Sequence, residues 1–294
     1  MARAALILGL FLAPLGVFAA MVAADRVYGA PGRGWGYVIT VDLPKDDARL
    51  GLPVIRGPED ASRPLVVIDA GHGGKDPGAG LGALKEKDLV LRLALALRDE
   101  LLEAGGVRVA LTREDDRYLL LPVRPSIARR LQADLFISIH ADSTEVGNTA
   151  RGGTVYVLSD KGSNEAAERI AARENAADEI NGIRIAEQSD SVGAILVDLS
   201  QREMQARSEA FGQLILREGR GRLPFREDTV QSAAFAVLKA PDVPSVLFES
   251  GYINNPDEAA RLASPEGRRA FAETLARAIR IHFAREREPA PLLQ

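Results

Sequence analysis

The stretch Leu65-Val-Val-Ile-Asp-Ala-Gly-His-Gly-Gly74 decides the fold of this 294-residue chain. It begins with a short apolar, β-branched run and breaks at a glycine-rich segment around His72. A run this short, bounded by glycines, predicts a buried strand rather than a segment of helix. In open α/β sheets, ligands bind beyond the carboxyl ends of the strands. The imidazole of His72, at the tip of this strand, is therefore a candidate for a functional site.

Two further apolar runs end in groups that can bind a metal ion or transfer a proton. Residues 135–139 are followed by His140, and residues 246–248 are followed by Glu249. Segments with helical periodicity alternate with these runs, and crossovers of this length indicate parallel strands. We therefore predict an α/β fold: a single catalytic domain with a twisted, largely parallel central sheet and helices on both faces. The three strand ends would then assemble one site.

A carboxylate occupies the first turn of the helix that follows the glycine-rich segment. Glu86 lies four residues before Val90 and seven before Leu93, so it shares the apolar face of that helix. A buried carboxylate needs a partner. Interaction with the helix N-terminus is one explanation. Beside His72 and His140, we favour metal ligation.

The composition excludes several classes of site. The net charge is −4 and charge runs are mixed in sign, so no nucleic-acid-binding surface is expected. The chain has no cysteine, which rules out disulfides and cysteine-based metal sites. Of the three histidines, His282 lies late in the last predicted helix without a polar neighbour, and we interpret it as structural.

Two imidazoles with one carboxylate form the ligand set of a catalytic zinc site, which leaves one coordination position for water. Bound Zn²⁺ makes that water acidic and can polarise a carbonyl group. Hydrolysis also needs a base close to the water and an acid for the leaving nitrogen, and Glu249 is placed for both tasks. The spacing thus indicates a zinc hydrolase.

The first 24 residues form an apolar segment that is typical of a secretory signal peptide, which implies export to the periplasm. An uncleaved membrane anchor is the alternative, because the run is long enough to span a bilayer. Membrane contact is expected only through this segment. Residues 25–63 are interpreted as a linker with one strand at 36–42, residues 64–286 as the catalytic domain, and residues 287–294 as a disordered tail.

Five segments in order resemble the zinc-dependent N-acetylmuramoyl-L-alanine amidases of the AmiA/AmiB/AmiC type (amidase type 3). They are Ile68-Asp-Ala-Gly-His-Gly-Gly-Lys-Asp-Pro-Gly-Ala79, Lys85-Glu-Lys-Asp88, residues 133–142, residues 235–247 and Glu249-Ser-Gly-Tyr-Ile-Asn-Asn-Pro256. The resemblance implies one zinc ion per chain held by His72, Glu86 and His140, with Glu249 as the catalytic glutamate. It also implies peptidoglycan as substrate: the bond cut would join N-acetylmuramic acid to the L-alanine of the stem peptide, in wall remodelling and daughter-cell separation.

A helical insertion at about residues 160–220 is also similar to the family. In division amidases a helix covers the active site, a glutamate from it occupies the zinc, and an activator protein draws the helix away. Residues 164–180 resemble that helix. Glu165 and Glu168, one turn apart on a single face, are the candidates for blocking the zinc, and an ordinary solvated helix face is the alternative. The resemblance thus implies a protein activator as a partner.

Two other functions fit the same residues. A zinc peptidase acting within the stem peptide would use the same metal chemistry. Its products would differ, because an amidase frees L-alanine amino termini and leaves intact glycan strands. A non-catalytic wall-binding module is the third reading, and the presence of Glu249 beside a full ligand set argues against it.

Overall fold

A six-stranded sheet forms the centre of the computed structural model, which describes residues 51–144, 150–177 and 194–287, the side chains of 194–200 and 287 excepted. The strands, including a separate hairpin of β2 and β3, are β1 (Leu65–Ala70), β2 (Gly80–Leu81), β3 (Leu84–Lys85), β4 (Arg108–Leu111), β5 (Leu135–Asp142), β6 (Thr154–Leu158), β7 (Gln231–Ala233) and β8 (Ser245–Tyr252). The helices are α1 (Glu86–Ala104), α2 (Val123–Arg130), α3 (Glu165–Asn175), α4 (Ala194–Gly219), α5 (Pro256–Ala263) and α6 (Pro265–Arg287).

The strand order is β4-β1-β5-β8-β6-β7. β4, β1, β5 and β8 run parallel, β6 is antiparallel to β8, and β7 is parallel to β6. The predicted largely parallel sheet of an α/β domain is thereby confirmed. Because β1, β5 and β8 are neighbours, their carboxyl ends lie side by side at one edge.

Successive side chains of β1 point to opposite faces of the sheet, and each face has its own hydrophobic core. Val66 and Ile68 pack with apolar residues of α1, α4 and α6, whereas Leu65 and Val67 pack with residues of α2 and α3. All four side chains are fully buried. Burying such an aliphatic side chain stabilises the fold by roughly 1.5–3 kcal/mol, so a register slip that exposed them would be costly.

The expected helical insertion divides between these two faces. Helix α4 packs on β6, β8 and α6, and its Phe211 and Ile215 are fully buried in the larger core. Helix α3 lies on the opposite face and buries only Ala167, Ala171 and Glu174. Helix α4 is therefore part of the framework, and α3 is the element that is packed through small side chains.

Two segments differ from their predicted form. The apolar run at residues 233–238 has the pattern of a strand, but that prediction is wrong: β7 ends at Ala233, and Ala236–Leu238 is a 3₁₀ turn. The side chain of Asn175 donates to the carbonyl of Ala234 and accepts from the amide of Ala236, which draws these backbone groups away from a sheet ladder. The helix expected at 164–180 is described only as Glu165–Asn175, with a turn at Ala176.

The signal segment, the strand expected at 36–42, the last residues of the helix expected at 164–180 and the tail from 288 lie outside the described residues. Part of the expected linker contacts the sheet, because the backbone groups of Arg56 and Val109 exchange hydrogen bonds of 2.8 and 2.9 Å at the edge formed by β4. No helix within the described ranges combines the length and apolar character needed to cross a membrane.

Candidate metal centre

The strand-end groups expected to form one site lie together at one edge of the sheet. Ala70 pairs with Ile139, so His72 and His140 leave adjacent strands at the same level, and their rings lie edge to face with centroids 4.9 Å apart. His140 is in register with Glu249 on β8. All three side chains are at least 93% buried.

Glu86, the first residue of α1, directs its carboxylate between the two imidazoles. Its Oε1 lies 3.0 Å from His72 Nε2 and 3.3 Å from His140 Nδ1. The backbone amides of Ala79 and Ala141 donate to the two carboxylate oxygens at 2.8 and 2.9 Å, which fixes the orientation of the group. The buried position inferred from the helical pattern is the one observed.

A fourth group, Glu174 of α3, completes the cluster. Its Oε2 lies 3.1 Å from His140 Nδ1 and 3.4 Å from His72 Nε2. The ligand atoms of His72, Glu86, His140 and Glu174 all lie within 4.8 Å of one another, and all four residues are buried.

The expectation that Glu165 or Glu168 reaches this site is wrong. Both are exposed, and Glu165 pairs with Arg169 on its own helix, at 3.7 Å. Ala167, Ala171 and Glu174 recur at i, i+4 and i+7, which is the buried face of α3. Glu165 and Glu168 lie on other faces. A carboxylate on an apolar stripe was the signal that located Glu86, and the same signal at Glu174 was missed.

The loop that carries His72 is shaped around the cluster. His72 adopts a left-handed backbone conformation, with φ of 57°, which is uncommon for a residue other than glycine. Its Nδ1 lies 2.7 Å from Asp76 Oδ2, a contact that directs Nε2 toward Glu86. A Cβ at Gly71 would come within 2.4 Å of the His140 ring, and one at Gly78 within 2.5 Å of Glu86 Oε2. Only glycine fits at either position.

Opposite charges dominate the electrostatics of the cluster. Burial lowers the pKa of His72 and His140, but the facing carboxylates outweigh it, raising the pKa of His72 well above its usual value and that of His140 to about 10. Burial raises the pKa of Glu86 and Glu174, but the imidazoles outweigh it, lowering the pKa of Glu86 to about 2 and that of Glu174 well below its usual value. Two cations then balance two anions. A divalent metal ion in place of the two protons would keep the same net charge.

Two nitrogens indicate that the cluster is built for a metal ion. His72 Nε2 and His140 Nδ1 are buried, and neither forms a hydrogen bond within the described part of the chain, although carboxylate oxygens lie 3.0–3.4 Å away. Buried polar atoms are normally hydrogen-bonded, so such orphaned atoms need an explanation. Together with the carboxylate oxygens of Glu86 and Glu174, these two nitrogens surround a common centre. The four residues can therefore hold a metal ion.

Glu249 lies beside the cluster, in register with His140. Both of its carboxylate oxygens are buried, and neither forms a hydrogen bond with the residues that the structure describes. Burial, reinforced by the carboxylates of Asp142 and Glu174, raises its pKa well above the usual value. A group in this state can hold a proton near neutral pH and transfer it, which is the property required of a general acid or base.

Polar contacts secure the C-terminal end of α3 next to the cluster. Arg173 Nη2 donates to Asp142 Oδ1 at 2.6 Å, and Nη1 donates to the carbonyl of Ser143 at 2.9 Å. Asn175 is bonded to the loop after β7 as described above. At the other end, the side chains of Ser163 and Asn164 donate to Gln231 Oε1 at 2.8 and 2.9 Å.

A small cleft adjoins the histidines and the end of α3. It is lined by His72, Asp76, Tyr118, Leu119, Leu121, Arg124, His140, Glu174 and Ala177. The remaining histidine, His282, is outside the cluster. It packs between Phe211 and Phe283 at 5.2 and 5.1 Å between ring centroids, in agreement with the structural interpretation.

Known proteins resemble this chain in sequence and in fold. Residues 66–280 match the family model described as N-acetylmuramoyl-L-alanine amidase. The chain is similar to amidase AmiC of Neisseria meningitidis (39% identity over 224 residues, 75% of this chain and 53% of the relative). It is also similar to AmiC of Escherichia coli O6:H1 (36% over 240 residues, 79% and 57%), so it spans about half the length of these curated relatives. The solved structure of AmiC2 from Nostoc punctiforme superposes with a TM-score of 0.53 at 31% identity, covering 75% of this chain and 97% of that one.

Proposed function

The chain belongs to the N-acetylmuramoyl-L-alanine amidase family, and from that premise we propose that it hydrolyses the amide bond between N-acetylmuramic acid and L-alanine in peptidoglycan stem peptides. The observation that carries the proposal is the convergence of two orphaned imidazole nitrogens on buried carboxylates, beside the unpaired Glu249. Water and amide give the lactyl carboxylic acid and the free amine of L-alanine.

We propose zinc as the metal, held by His72, Glu86 and His140. Zn–N and Zn–O bonds of about 2.0–2.2 Å correspond to tetrahedral edges of roughly 3.3–3.6 Å. The nitrogen–oxygen separations in the cluster are 3.0–3.4 Å, which suits such a site. Bound zinc would supply a Lewis acid that acidifies a water molecule and polarises the scissile carbonyl. Asp76 would hold His72 in the tautomer that presents Nε2 to the metal.

Glu249 is proposed to move the protons of the reaction. Its carboxylate would accept a proton from the attacking water and deliver it to the leaving nitrogen of L-alanine. The buried and acidic surroundings that raise its pKa favour the protonated form required for the second step. The absence of a hydrogen-bond partner in this structure leaves both carboxylate oxygens free for water and substrate.

The described conformation is proposed to be self-inhibited. Catalytic zinc sites have three protein ligands and one open position, whereas four protein ligands make a closed, structural site. Glu174 would take the position that water needs. Helix α3 brings little apolar surface to the interface and is retained by polar contacts at its ends. Such contacts can be exchanged for contacts with a partner, so we propose that a protein activator binding the open form releases the helix.

We propose that the protein acts in the periplasm on the cell wall, in remodelling and the separation of daughter cells. The N-terminal signal would deliver it there, and the membrane would be contacted only through that segment if it stays uncleaved. No nucleic-acid partner is proposed, since the net charge is −4.

Metal analysis combined with mass spectrometry of digested peptidoglycan tests the proposal. Zinc content should collapse in His72→Ala and His140→Ala and persist in His282→Ala, a matched loss of a buried histidine elsewhere. The released peptides should begin with L-alanine, and the glycan strands should remain intact. Shortened stems that stay attached to the glycan would indicate a peptidase instead. Full zinc occupancy in both site variants would exclude the proposed ligand set.

A further inference from the structure

Two buried arginines lie beneath the loop that carries His72. Arg113 is fully buried and Arg124 is 2% exposed. Arg124 donates to the carbonyls of Ala70 and His72, both at 2.8 Å. Arg113 donates to the carbonyls of Ala70 and Gly71, at 2.9 and 2.7 Å. Three successive carbonyls of the loop are thus held by two guanidinium groups.

Arg113 also connects this loop to the helix that bears the second proposed ligand. Its Nη2 donates at 2.9 Å to the carbonyl of Lys87, the residue that follows Glu86. One side chain therefore fixes the backbone beside His72 and the backbone beside Glu86. A single rigid, planar group thus bridges the two backbone segments that carry His72 and Glu86.

The position of Arg124 is set by the sheet itself. Asp69 of β1, fully buried, lies 3.0 Å from Arg124 Nη1. Its carboxylate also accepts the hydroxyl protons of Thr112 and Ser138, at 2.6 and 2.7 Å. Groups from β1, from the end of β4 and from β5 thereby hold the guanidinium in one place.

The loop conformation explains why such support is needed. His72 has a positive φ, which is sustained only when the surrounding structure fixes it. The carbonyls of Ala70, Gly71 and His72 are buried around this left-handed residue, and buried carbonyls need donors. The forked donors of arginine can satisfy neighbouring carbonyls simultaneously, whereas lysine provides a compact, flexible charge.

We propose that Arg113 and Arg124 are positioning residues, which hold His72 and Glu86 at the separation that metal binding requires. The inference rests on the proposed metal site and extends it to groups that do not touch the metal. A purely structural role would predict lost stability with unchanged metal binding. A positioning role predicts altered metal affinity and ligand geometry in protein that is still folded.

Arg113→Lys and Arg124→Lys test the proposal in the full chain. Arg108→Lys is the matched control, because Arg108 donates to the carbonyls of Arg63 and Ala61. Arg108 pairs with Leu65, at the opposite end of β1 from Ala70. At about 3.3 Å per residue these ends are roughly 16 Å apart. The control thus alters two guanidinium–carbonyl contacts of a half-buried arginine far from the cluster.

Zinc affinity is measured by competition with a chelator, and the ligand geometry by the visible spectrum of the Co²⁺-loaded protein. Both site variants should bind zinc roughly ten- to a hundredfold more weakly, as is typical for groups that orient metal ligands, and should show a shifted Co²⁺ spectrum. Arg108→Lys should match the wild type in both. Wild-type affinity and spectrum in folded Arg113→Lys and Arg124→Lys would overturn the proposal, whatever their stability.

A milder variant covers the case in which neither arginine variant folds. Thr112→Val removes one hydroxyl that fixes Asp69 and hence Arg124, and it should weaken zinc binding in the same direction by a smaller factor. Unchanged affinity in Thr112→Val would then count against the proposal. Failure of the metal site itself gives a different result, because wild-type protein and His72→Ala would then bind zinc equally.

Discussion

Arg173 of α3 forms a 2.6 Å ion pair with Asp142 at the end of β5, and the next residue of α3, Glu174, lies in the histidine cluster. Asp142 is 3% exposed, so a charge at this position depends on its partner. Burial raises the pKa of Asp142 even with Arg173 present, which indicates how costly this carboxylate would be alone. The pair therefore favours the conformation in which α3 covers the cluster.

Replacing Arg173 with Met should raise basal hydrolysis of purified peptidoglycan. Losing a charge-assisted bond to a buried group weakens the covered form by about 1–2 kcal/mol, which is a factor of roughly five to thirty in population. Arg169→Met is the control, because Arg169 lies on the same helix but is exposed. Equal activity in the two variants would show that the ion pair does not contribute to inhibition.

Glu174→Ala should activate the enzyme more strongly than any change at Glu165 or Glu168. The substitution opens the fourth coordination position while His72, Glu86 and His140 remain. If Glu174 leaves fewer than about one molecule in ten in the active form, its removal should raise the rate of hydrolysis roughly tenfold or more.

The rates of these variants are compared at equal zinc occupancy, because the loss of a ligand can also weaken metal binding. Glu165→Ala and Glu168→Ala should match the wild type, since both side chains are exposed. Inhibition by Glu174 is disproved by a Glu174→Ala variant that is no more active than the wild type at matched occupancy.

The framework of this site could be predicted because it depends on local patterns. Apolar runs ending at His72, His140 and Glu249 indicated neighbouring parallel strands, and the sheet places those ends together. Helical periodicity placed Glu86 on a buried face. Each inference needed only the spacing within one element and the rule that parallel strands end at a common edge.

Features that depend on contacts between distant segments were not predictable in this way. The pattern at 233–238 is strand-like, but Asn175 from α3 diverts its backbone. Arg113 follows β4 and Arg124 lies in the first turn of α2, and only the folded chain shows that both charged side chains are buried beneath the loop of His72. Glu174 lies between these cases. Its position on the buried face of α3 follows from the spacing to Ala167 and Ala171, but its contact with the two histidines does not.

Glu249→Gln should retain zinc and lose hydrolysis. The amide has the size of the carboxyl group but cannot take a proton from water or deliver one to nitrogen. Loss of a general acid–base group costs roughly 10²–10⁴-fold in rate. Zinc content and turnover are measured on the same preparation. Glu258→Gln is the control, because Glu258 is also a buried glutamate but accepts a hydrogen bond from the amide of Gly152 and pairs with Arg261. Near wild-type turnover in Glu249→Gln would assign the proton transfer to another group.

Zinc binding should displace about two protons at neutral pH, because histidine ligates metals as the neutral imidazole. In the metal-free cluster the pKa of His140 is about 10 and that of His72 is well above its usual value, so both rings carry a proton at pH 7. Lowering the pH then favours the protonated form and weakens zinc binding. For two displaced protons the change is roughly a hundredfold per pH unit, and it diminishes as the pH rises through the pKa of His140.

Calorimetric titration in buffers of different ionisation enthalpy counts the released protons. Glu174→Ala provides an internal comparison, because Glu174 is a main cause of the raised pKa of His140 and also raises that of His72. Without this carboxylate the imidazoles should lose their protons more readily, so fewer protons should be released and zinc affinity should depend less steeply on pH. Glu165→Ala should leave the count unchanged. A binding enthalpy that is independent of the buffer would show that the imidazoles are already neutral in the metal-free protein. The assignment of two charged imidazoles facing two carboxylates would then be wrong.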